Sequence, residues 1–112
     1  MFQAFILIPV LDNDGNPFRR QDYDEFEVEL AEFAGGFTLR GQVTGGWVDT
    51  ERLYWEPMFE YELGLDSLRK VAGLVQIAEA ACGRFRQLGI FIKVAGIPEI
   101  IESPRVRPAS QH

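Results

Sequence analysis

Apolar and polar residues follow patterns that predict six regular elements, in the order strand, helix, strand, strand, helix, strand. A nearly continuous apolar run over residues 2–10 predicts a buried strand. Residues 37–48 and 53–65 alternate between apolar and polar positions, which predicts two strands joined by a tight turn. Residues 88–94 alternate again and predict the last long strand, with residues 97–101 as a short extension.

Two segments repeat apolar residues at steps of three and four, the spacing of one face of a helix. Residues 21–34 are apolar on one side and acidic on the other, and Gly35-Gly36 supplies the helix end. The second stripe runs over residues 68–85, and Asp66 or Ser67 is expected to cap that helix.

The order β-α-β-β-α-β predicts an α+β fold of the ferredoxin-like kind, with a four-stranded antiparallel sheet and two helices on one face. We expect one such domain over residues 1–102 and a flexible C-terminal tail over residues 103–112. Because two helices cover only one side of a sheet, the side chains on the other side must meet water or a partner.

Strand alternation places several apolar side chains on this uncovered side, and they form the predicted interface: Phe5, Leu7, Met58 and Phe91. Such a patch is near the upper end for a soluble monomer. Two-fold homodimers are the commonest soluble oligomers, so a second copy is the expected cover. In the alternative, the segment Ile97 to Ile101 folds over the same side and covers it.

Candidate catalytic groups come from matching the core positions of the two central strands. If Val43 faces the helices with Phe59, then Arg40 lies opposite Glu62 on the uncovered side. Glu60 lies on that side too. Glu60, Arg40 and Glu62 are therefore the candidates for acid–base and anion-holding groups, with an ion-pair network as the simpler interpretation.

Aromatic residues gather near the turn between these strands. Trp47, Tyr54 and Trp55, together with Glu56, form a candidate binding site for a small apolar or cationic ligand. Core packing of at least one tryptophan is the alternative.

Charge and residue usage exclude several classes of function. The chain has 17 acidic and 11 basic residues and a formal charge of −6, which disfavours nucleic acid and anionic membranes as partners. His112 is the only histidine and Cys82 the only cysteine, so a histidine-assisted nucleophile or histidine-ligated metal is not expected. The segment 12–16 fits an ordinary Asx turn better than a calcium loop, and we expect neither metal nor cofactor.

A cytoplasmic location is the expected one. No apolar run reaches the roughly 18–20 residues that span a bilayer, and the first nine residues indicate a strand rather than a signal peptide. A single cysteine, which excludes an internal disulfide, fits a reducing compartment.

Several short motifs resemble a group of uncharacterised small bacterial proteins of ferredoxin-like plan. They are the DNDGNPF loop at residues 12–18, Gly35-Gly36-Phe37-Thr38, Gly46-Trp47-Val48-Asp49 and Phe85-Arg86-Gln87. The resemblance covers about residues 2–101 and implies a fold and a small bacterial protein, but no activity.

Three functional hypotheses follow from these residues. The first is a non-enzymatic, homodimeric binding or interaction module that uses the uncovered sheet side or the hairpin aromatics. The second is a cofactor-free enzyme of the dimeric α+β barrel type acting on a small organic substrate. The third is an acidic interaction module that uses residues 22–32 against a basic protein.

Overall fold

Seven regular elements form a sheet layer and a helix layer in the computed structural model, which describes residues 1–105. Every neighbouring strand pair is antiparallel, and the strand order is β2-β3-β1-β4-β5. The α+β class is confirmed. In chain order the elements are β1 (Phe2–Pro9), α1 (Arg20–Ala34), β2 (Thr38–Asp49), β3 (Arg52–Leu65), α2 (Lys70–Arg84), β4 (Gly89–Val94) and β5 (Ile97–Glu102).

The sheet has five strands, so the prediction of four strands was wrong. The turn between β4 and β5 explains the difference. Ala95 and Gly96 have φ values of 50° and 84°, and two consecutive positive values are typical of the two-residue turn that closes a tight hairpin. Residues 97–102 therefore pair along β4 at the sheet edge, with Ile97 opposite Val94, rather than folding over the uncovered side.

Both helices pack on one side of the sheet, where every second strand residue is buried. The polar ends of two core tyrosines are satisfied there: the Tyr23 hydroxyl donates to the Pro9 carbonyl at 2.8 Å, and the Tyr61 hydroxyl donates to Glu27 at 2.7 Å. The strand residues of this core are Ala4, Ile6, Ile8, Tyr61, Leu63, Leu65, Ile90, Ile92 and Ile101, and the helix residues include Phe26, Leu30, Leu74 and Ala78.

The predicted end of α1 at Gly35 is confirmed, whereas the predicted start of α2 is not. The Asp22 carboxylate accepts a hydrogen bond from the Arg19 backbone N–H at 3.2 Å, which fixes the first turn of α1. Gly35 ends α1 with a φ of 83°. α2 begins only at Lys70, because the chain first makes a turn in which the Lys70 N–H bonds the Ser67 carbonyl. The prediction of a cap at Asp66 or Ser67 was wrong.

A β-bulge changes the register between β2 and β3. Leu39 pairs with Tyr61 and Gly41 pairs with Glu60, so Arg40 is an extra residue without a direct partner. Beyond the bulge Val43 pairs with Met58, which turns Val43 away from the helices and not toward them as predicted.

The adjacent glycines Gly45 and Gly46, which in the sequence favour a bulge or bend of this strand, pair regularly with β3. The bulge lies instead at Arg40. Gly41 has a φ of 115°, a value that favours glycine, and this explains why the extra residue is accommodated next to it.

The hairpin of β2 and β3 extends past the body of the sheet. β1 pairs with β3 only as far as Pro9 opposite Met58, so over residues 44–57 the strand ladder joins β2 and β3 only, apart from one hydrogen bond between Val10 and Pro57. We call residues 44–57 the arm. The Pro57 carbonyl accepts a hydrogen bond from the Val10 N–H at 3.1 Å. The ring nitrogen of Pro57 points to the same side as this carbonyl, so the proline leaves the ladder with β2 intact.

The chain after β5 is described only as far as residue 105. Ser103 is buried and its N–H donates to the Leu88 carbonyl at 2.7 Å, so the predicted tail is anchored at its first residue. Residues 106–112 of that tail, including His112, lie outside the described residues. In residues 1–105 no helix has the length and apolar character needed to cross a membrane.

Candidate functional site on the open sheet face

The side of the sheet away from the helices, which we call the open face, carries the four residues of the predicted interface. Phe5, Leu7, Met58 and Phe91 are each half-buried there. Lys93 lies beside them, with its ammonium nitrogen 5.1 Å from the centre of the Phe5 ring. Their role as an interface stays a prediction.

Three carboxylates of β3 also lie on the open face, and we call Glu56, Glu60 and Glu62 the acid row. Even-numbered residues of β3 face away from the helices, because odd-numbered residues such as Tyr61 are buried in the core. Glu60 pairs with Leu7 and Glu62 pairs with Phe5, so carboxylates and apolar side chains are adjacent across β3 and β1.

Glu62 is the one member of the acid row that two side chains hold in place. Its carboxylate accepts a hydrogen bond from Gln3 Nε2 at 2.5 Å. It also forms a hydrogen-bonded ion pair with Arg40, whose Nη1 lies 3.2 Å away. Arg40 reaches Glu62 from the bulge, although Thr38 is the residue that pairs with Glu62 in the ladder. The structure thus brings Arg40, Glu60 and Glu62 to one region through a different register from the predicted one.

The other two carboxylates of the acid row have no ion pair or hydrogen bond with another side chain in residues 1–105. Both Glu56 and Glu60 are half-buried. Burial raises the pKa of Glu56 above its ordinary value, since the charged form loses contact with water. A bound cation would stabilise these carboxylates in their ionised form.

The flank of the acid row toward β2 has little side-chain bulk. Gly41 pairs with Glu60 and Gly45 pairs with Glu56. A Cβ at Gly45 would lie 3.4 Å from Met58 Sδ, so the glycine allows the Met58 side chain to lie close to β2. Neither glycine was among the predicted site residues; their spacing of four residues on one strand face was the signal available in the sequence.

A depression of about 470 Å³ lies at the Glu62 end of the acid row, between the start of β1 and the start of β2. This volume is in the range that holds a small organic molecule. Gln3 and Thr38 offer hydrogen-bonding groups in its wall, and neither was predicted as a site residue. Its lining includes Met1, Gln3, Gly36, Phe37, Thr38 and Glu62.

A second cavity, of about 450 Å³, lies between the start of α1 and the end of α2 and is rich in arginine. Its guanidinium groups already have carboxylate partners. Arg19 pairs with Asp22 at 3.2 Å, Arg84 with Glu25 at 2.6 Å, and Arg86 with Asp12 at 3.6 Å. The open face is therefore the better candidate for a cationic ligand.

The predicted aromatic site is only partly assembled. Trp47 and Tyr54 stack with their ring centres 4.6 Å apart and their planes at 17°, on the same face as Glu56. Trp55 lies on the opposite face and is 71% exposed, so it does not join them. The alternative prediction, that at least one tryptophan packs in the core, is wrong, because Trp47 is 48% exposed and Trp55 71%.

The described residues offer no evident metal centre. In residues 1–105 no three His, Cys, Asp or Glu side chains are grouped so as to hold a metal ion. Cys82 is buried, and burial raises the pKa of its thiol, which disfavours the reactive thiolate. Asp12 Oδ1 accepts hydrogen bonds from the N–H groups of Asp14 and Asn16 at 2.9 Å, as an Asx turn does.

Comparison with known proteins identifies similar structures but no sequence family. No protein-family model matches the chain, and no curated protein matches it either. A phage SAM lyase in complex with S-methyl-5'-thioadenosine is similar in structure, with a TM-score of 0.65, 17% identity, and coverage of 95% of this chain and 92% of that chain. A phage SAM lyase in the apo state has a TM-score of 0.64 and 18% identity, covering 92% and 90% of the two chains.

This similarity corrects the leading functional prediction. The sequence favoured a non-enzymatic, homodimeric binding module, whereas the structural neighbours are lyases and one of them holds a small-molecule ligand. The main prediction was therefore wrong.

Proposed function

We propose that this protein is a cofactor-free enzyme that cleaves S-adenosylmethionine or a related sulfonium compound and releases S-methyl-5'-thioadenosine. The observation that carries the proposal is the structural similarity to a phage SAM lyase bound to that thioether over 95% of the chain. The residues of the open face support it independently, because they offer carboxylates to a substrate that carries positive charge.

The reaction can proceed without a cofactor because the substrate contains both the nucleophile and the leaving group. An oxygen of the substrate carboxylate attacks the γ-carbon of the methionine part and forms the C–O bond of a five-membered lactone. The bond between that carbon and sulfur breaks, and its electron pair stays on sulfur. The products are a neutral thioether and an amino lactone, with no proton, water or oxidant consumed. The enzyme's task is to hold the chain folded for attack.

The acid row provides the charge that such a substrate needs. Glu60 and Glu62 attract the sulfonium and the ammonium group, and the half-buried setting strengthens this attraction relative to bulk water. The depression beside Glu62 accommodates the adenosine part by its size and its polar groups. Arg40 is available to orient the substrate carboxylate when the ligand displaces its contact with Glu62.

Three further properties belong to this proposal. The strand order β2-β3-β1-β4 supports a ferredoxin-like plan that β5 extends at one edge. The single, buried Cys82 thiol supports a reducing compartment, and we place the protein in the cytoplasm. The resemblance of the sequence to bacterial proteins of ferredoxin-like plan stays a prediction.

The test is to incubate the purified protein with S-adenosylmethionine and to measure S-methyl-5'-thioadenosine and the lactone by chromatography and mass spectrometry. Glu60→Gln and Glu62→Gln each remove one charge of the acid row without changing side-chain size. We expect either change to lower kcat/KM by about a hundredfold, the usual scale for an electrostatic group at a reacting centre.

Glu99→Gln is the matched control, because Glu99 is exposed on β5 at the far edge of the sheet. It should keep full activity. Absence of the thioether with the unmodified protein, together with no saturable binding of S-adenosylmethionine in calorimetry, would overturn the proposal. Equal activity of the Glu60→Gln, Glu62→Gln and Glu99→Gln proteins would remove the acid row from it.

A further inference from the structure

The arm exposes an unusual amount of apolar surface. Trp47 is 48% exposed, Val48 67%, Leu53 51% and Trp55 71%. With side chains of on the order of 150–250 Å² each, Val48, Leu53 and Trp55 expose roughly 350 Å² on one side of the hairpin, and Trp47 exposes roughly 100 Å² on the other side. The patch of three is within the size range of the largest apolar patch of a typical soluble monomer, and such patches are commonly functional.

These side chains are exposed because the arm projects past the core. Val48, Leu53 and Trp55 lie on the same side of the hairpin as Phe59 and Tyr61, which pack in the core. None of the residues of the arm belongs to that core. The apolar alternation of a buried strand thus continues into a segment that no helix covers. A two-stranded hairpin without a packed face gains little stability from its own contacts, so a partner that covers these side chains would stabilise the arm.

The outer edge of β2 is open in the same region. Residues 41–48 contain no charged residue and no proline, which are the features that usually protect an edge strand from pairing with another chain. The opposite edge of the sheet is protected in this way, since β5 contains Pro98, Glu99 and Glu102. Only the β2 edge therefore lacks this protection.

We propose that the arm is the surface through which copies of this chain associate, with a second copy covering the apolar side chains and the β2 edge. The distribution of charge favours a second copy of the chain at the β2 edge of the arm. The chain carries a formal charge of −6, and six of its acids lie in α1 between Asp22 and Glu32. The β2 edge over residues 41–48 is uncharged, so two identical copies meet little repulsion along it. The charged residues of the arm lie elsewhere: Asp49, Glu51 and Arg52 at its tip and Glu56 on the open face.

The area also fits a second copy. A standard interface buries about 800 Å² on each partner, and Val48, Leu53 and Trp55 on one side of the arm supply somewhat under half of it. Tyr54 and the backbone of β2 are available for the remainder. This proposal concerns assembly and does not depend on the proposed activity.

The two tryptophans of the chain both lie in the arm, so tryptophan fluorescence reports on this segment alone. The full-length protein is measured by light scattering and by fluorescence over a dilution series from high to low micromolar concentration. We expect a mass of at least twice 12.7 kDa at high concentration, and a shift of the tryptophan emission to longer wavelength as dilution separates the copies.

Glutamate variants of three exposed leucines locate the interface. Leu53→Glu places a charge in the arm, whereas Leu68→Glu and Leu88→Glu place one on residues that are 71% and 74% exposed elsewhere. Leu53→Glu should weaken association by at least about thirtyfold, the effect of losing one central contact. The two controls should leave the association constant within about twofold. Trp55→Ser serves as a second arm variant, and circular dichroism verifies the fold of each.

A protein that scatters as a single chain of 12.7 kDa at every concentration would overturn the proposal. So would an oligomer that Leu53→Glu and Trp55→Ser leave intact while Leu68→Glu or Leu88→Glu dissociates it. An emission maximum that stays constant while the scattering mass falls would also contradict it, because the arm would then not change its environment on dissociation.

Discussion

Arg40 lies in the bulge of β2 and places its Nη1 3.2 Å from the Glu62 carboxylate of β3, although the two residues are not partners in the strand ladder. The long, flexible side chain spans the change of register. The same bulge brings Gly41 and Val43 to the open face, so one extra residue determines which side chains stand beside the acid row.

The Arg40–Glu62 pair should contribute little to stability. The side chains are 55% and 24% exposed, and an ion pair in such a setting contributes about 0.2–1 kcal/mol. The measurement is a double-mutant cycle with Arg40→Gln, Glu62→Gln and the double variant in urea unfolding. The coupling energy should fall further at high salt. A coupling well above 1 kcal/mol would show that the pair is a structural element of the fold.

Much of the fold was predictable because the buried faces follow simple periods. The open-face positions of β1 and β3 were identified from alternation, and the buried side of α1 from its apolar stripe. The fifth strand was identified only as an extension, since a six-residue segment with Pro98 has a weak pattern. Its pairing is decided by the backbone of the turn at Ala95 and Gly96, which alternation does not report.

The candidate site was less predictable, because its geometry depends on contacts between strands that are distant in sequence. Sequence placed Glu60, Glu62 and Arg40 on one sheet face, and the structure does so too. The depression beside Glu62 depends on Gln3 and Thr38, which come from strands distant in sequence. The exposure of Trp47 and Trp55 depends on where β1 ends relative to β3, a length relationship that no local pattern contains.

We expect alanine substitutions at two adjacent isoleucines of the edge strand β5 to have very different effects on the free energy of unfolding. Ile101 is 8% exposed and packs in the core, whereas Ile100 is 65% exposed. Ile101→Ala should lower the free energy of unfolding by about 2–4 kcal/mol, because it leaves a cavity. Ile100→Ala should lower it by less than about 1 kcal/mol. Chemical denaturation of both variants tests this, and equal losses would show that β5 is not anchored as described.

We expect substitution by alanine at two glycines of α2 to have opposite effects on stability. A Cβ at Gly73 would meet the Phe33 ring of α1 within van der Waals contact and force it to move, whereas a Cβ at Gly83 meets nothing within 4 Å. Gly83→Ala should stabilise the protein by about 0.5–1 kcal/mol through the higher helix propensity of alanine. Gly73→Ala should destabilise it by about 1–2 kcal/mol through overpacking between the helices. Thermal unfolding compares the two, and stabilisation by both would mean that the helices separate easily.

The half-buried carboxyl of Glu56 is expected to make the stability of the protein depend on pH. Burial raises the pKa of Glu56 in the folded protein above its value in the unfolded chain. The folded state therefore holds the proton more tightly, and this stabilisation is fully present below the unfolded pKa and is lost as the pH rises through the folded pKa. At neutral pH the ionised Glu56 is a cost to the folded state.

Glu56→Gln should therefore stabilise the protein at neutral pH, by less than about 1 kcal/mol because the group is only half-buried. Asp22→Asn provides a control of opposite sign, since its hydrogen bond with Arg19 lowers the pKa of Asp22 and its contribution is lost as the pH falls. Urea unfolding from pH 3 to pH 8 compares both variants with the unmodified protein. A Glu56→Gln protein that is less stable than the unmodified one at neutral pH would show that the ionised carboxylate has a favourable partner.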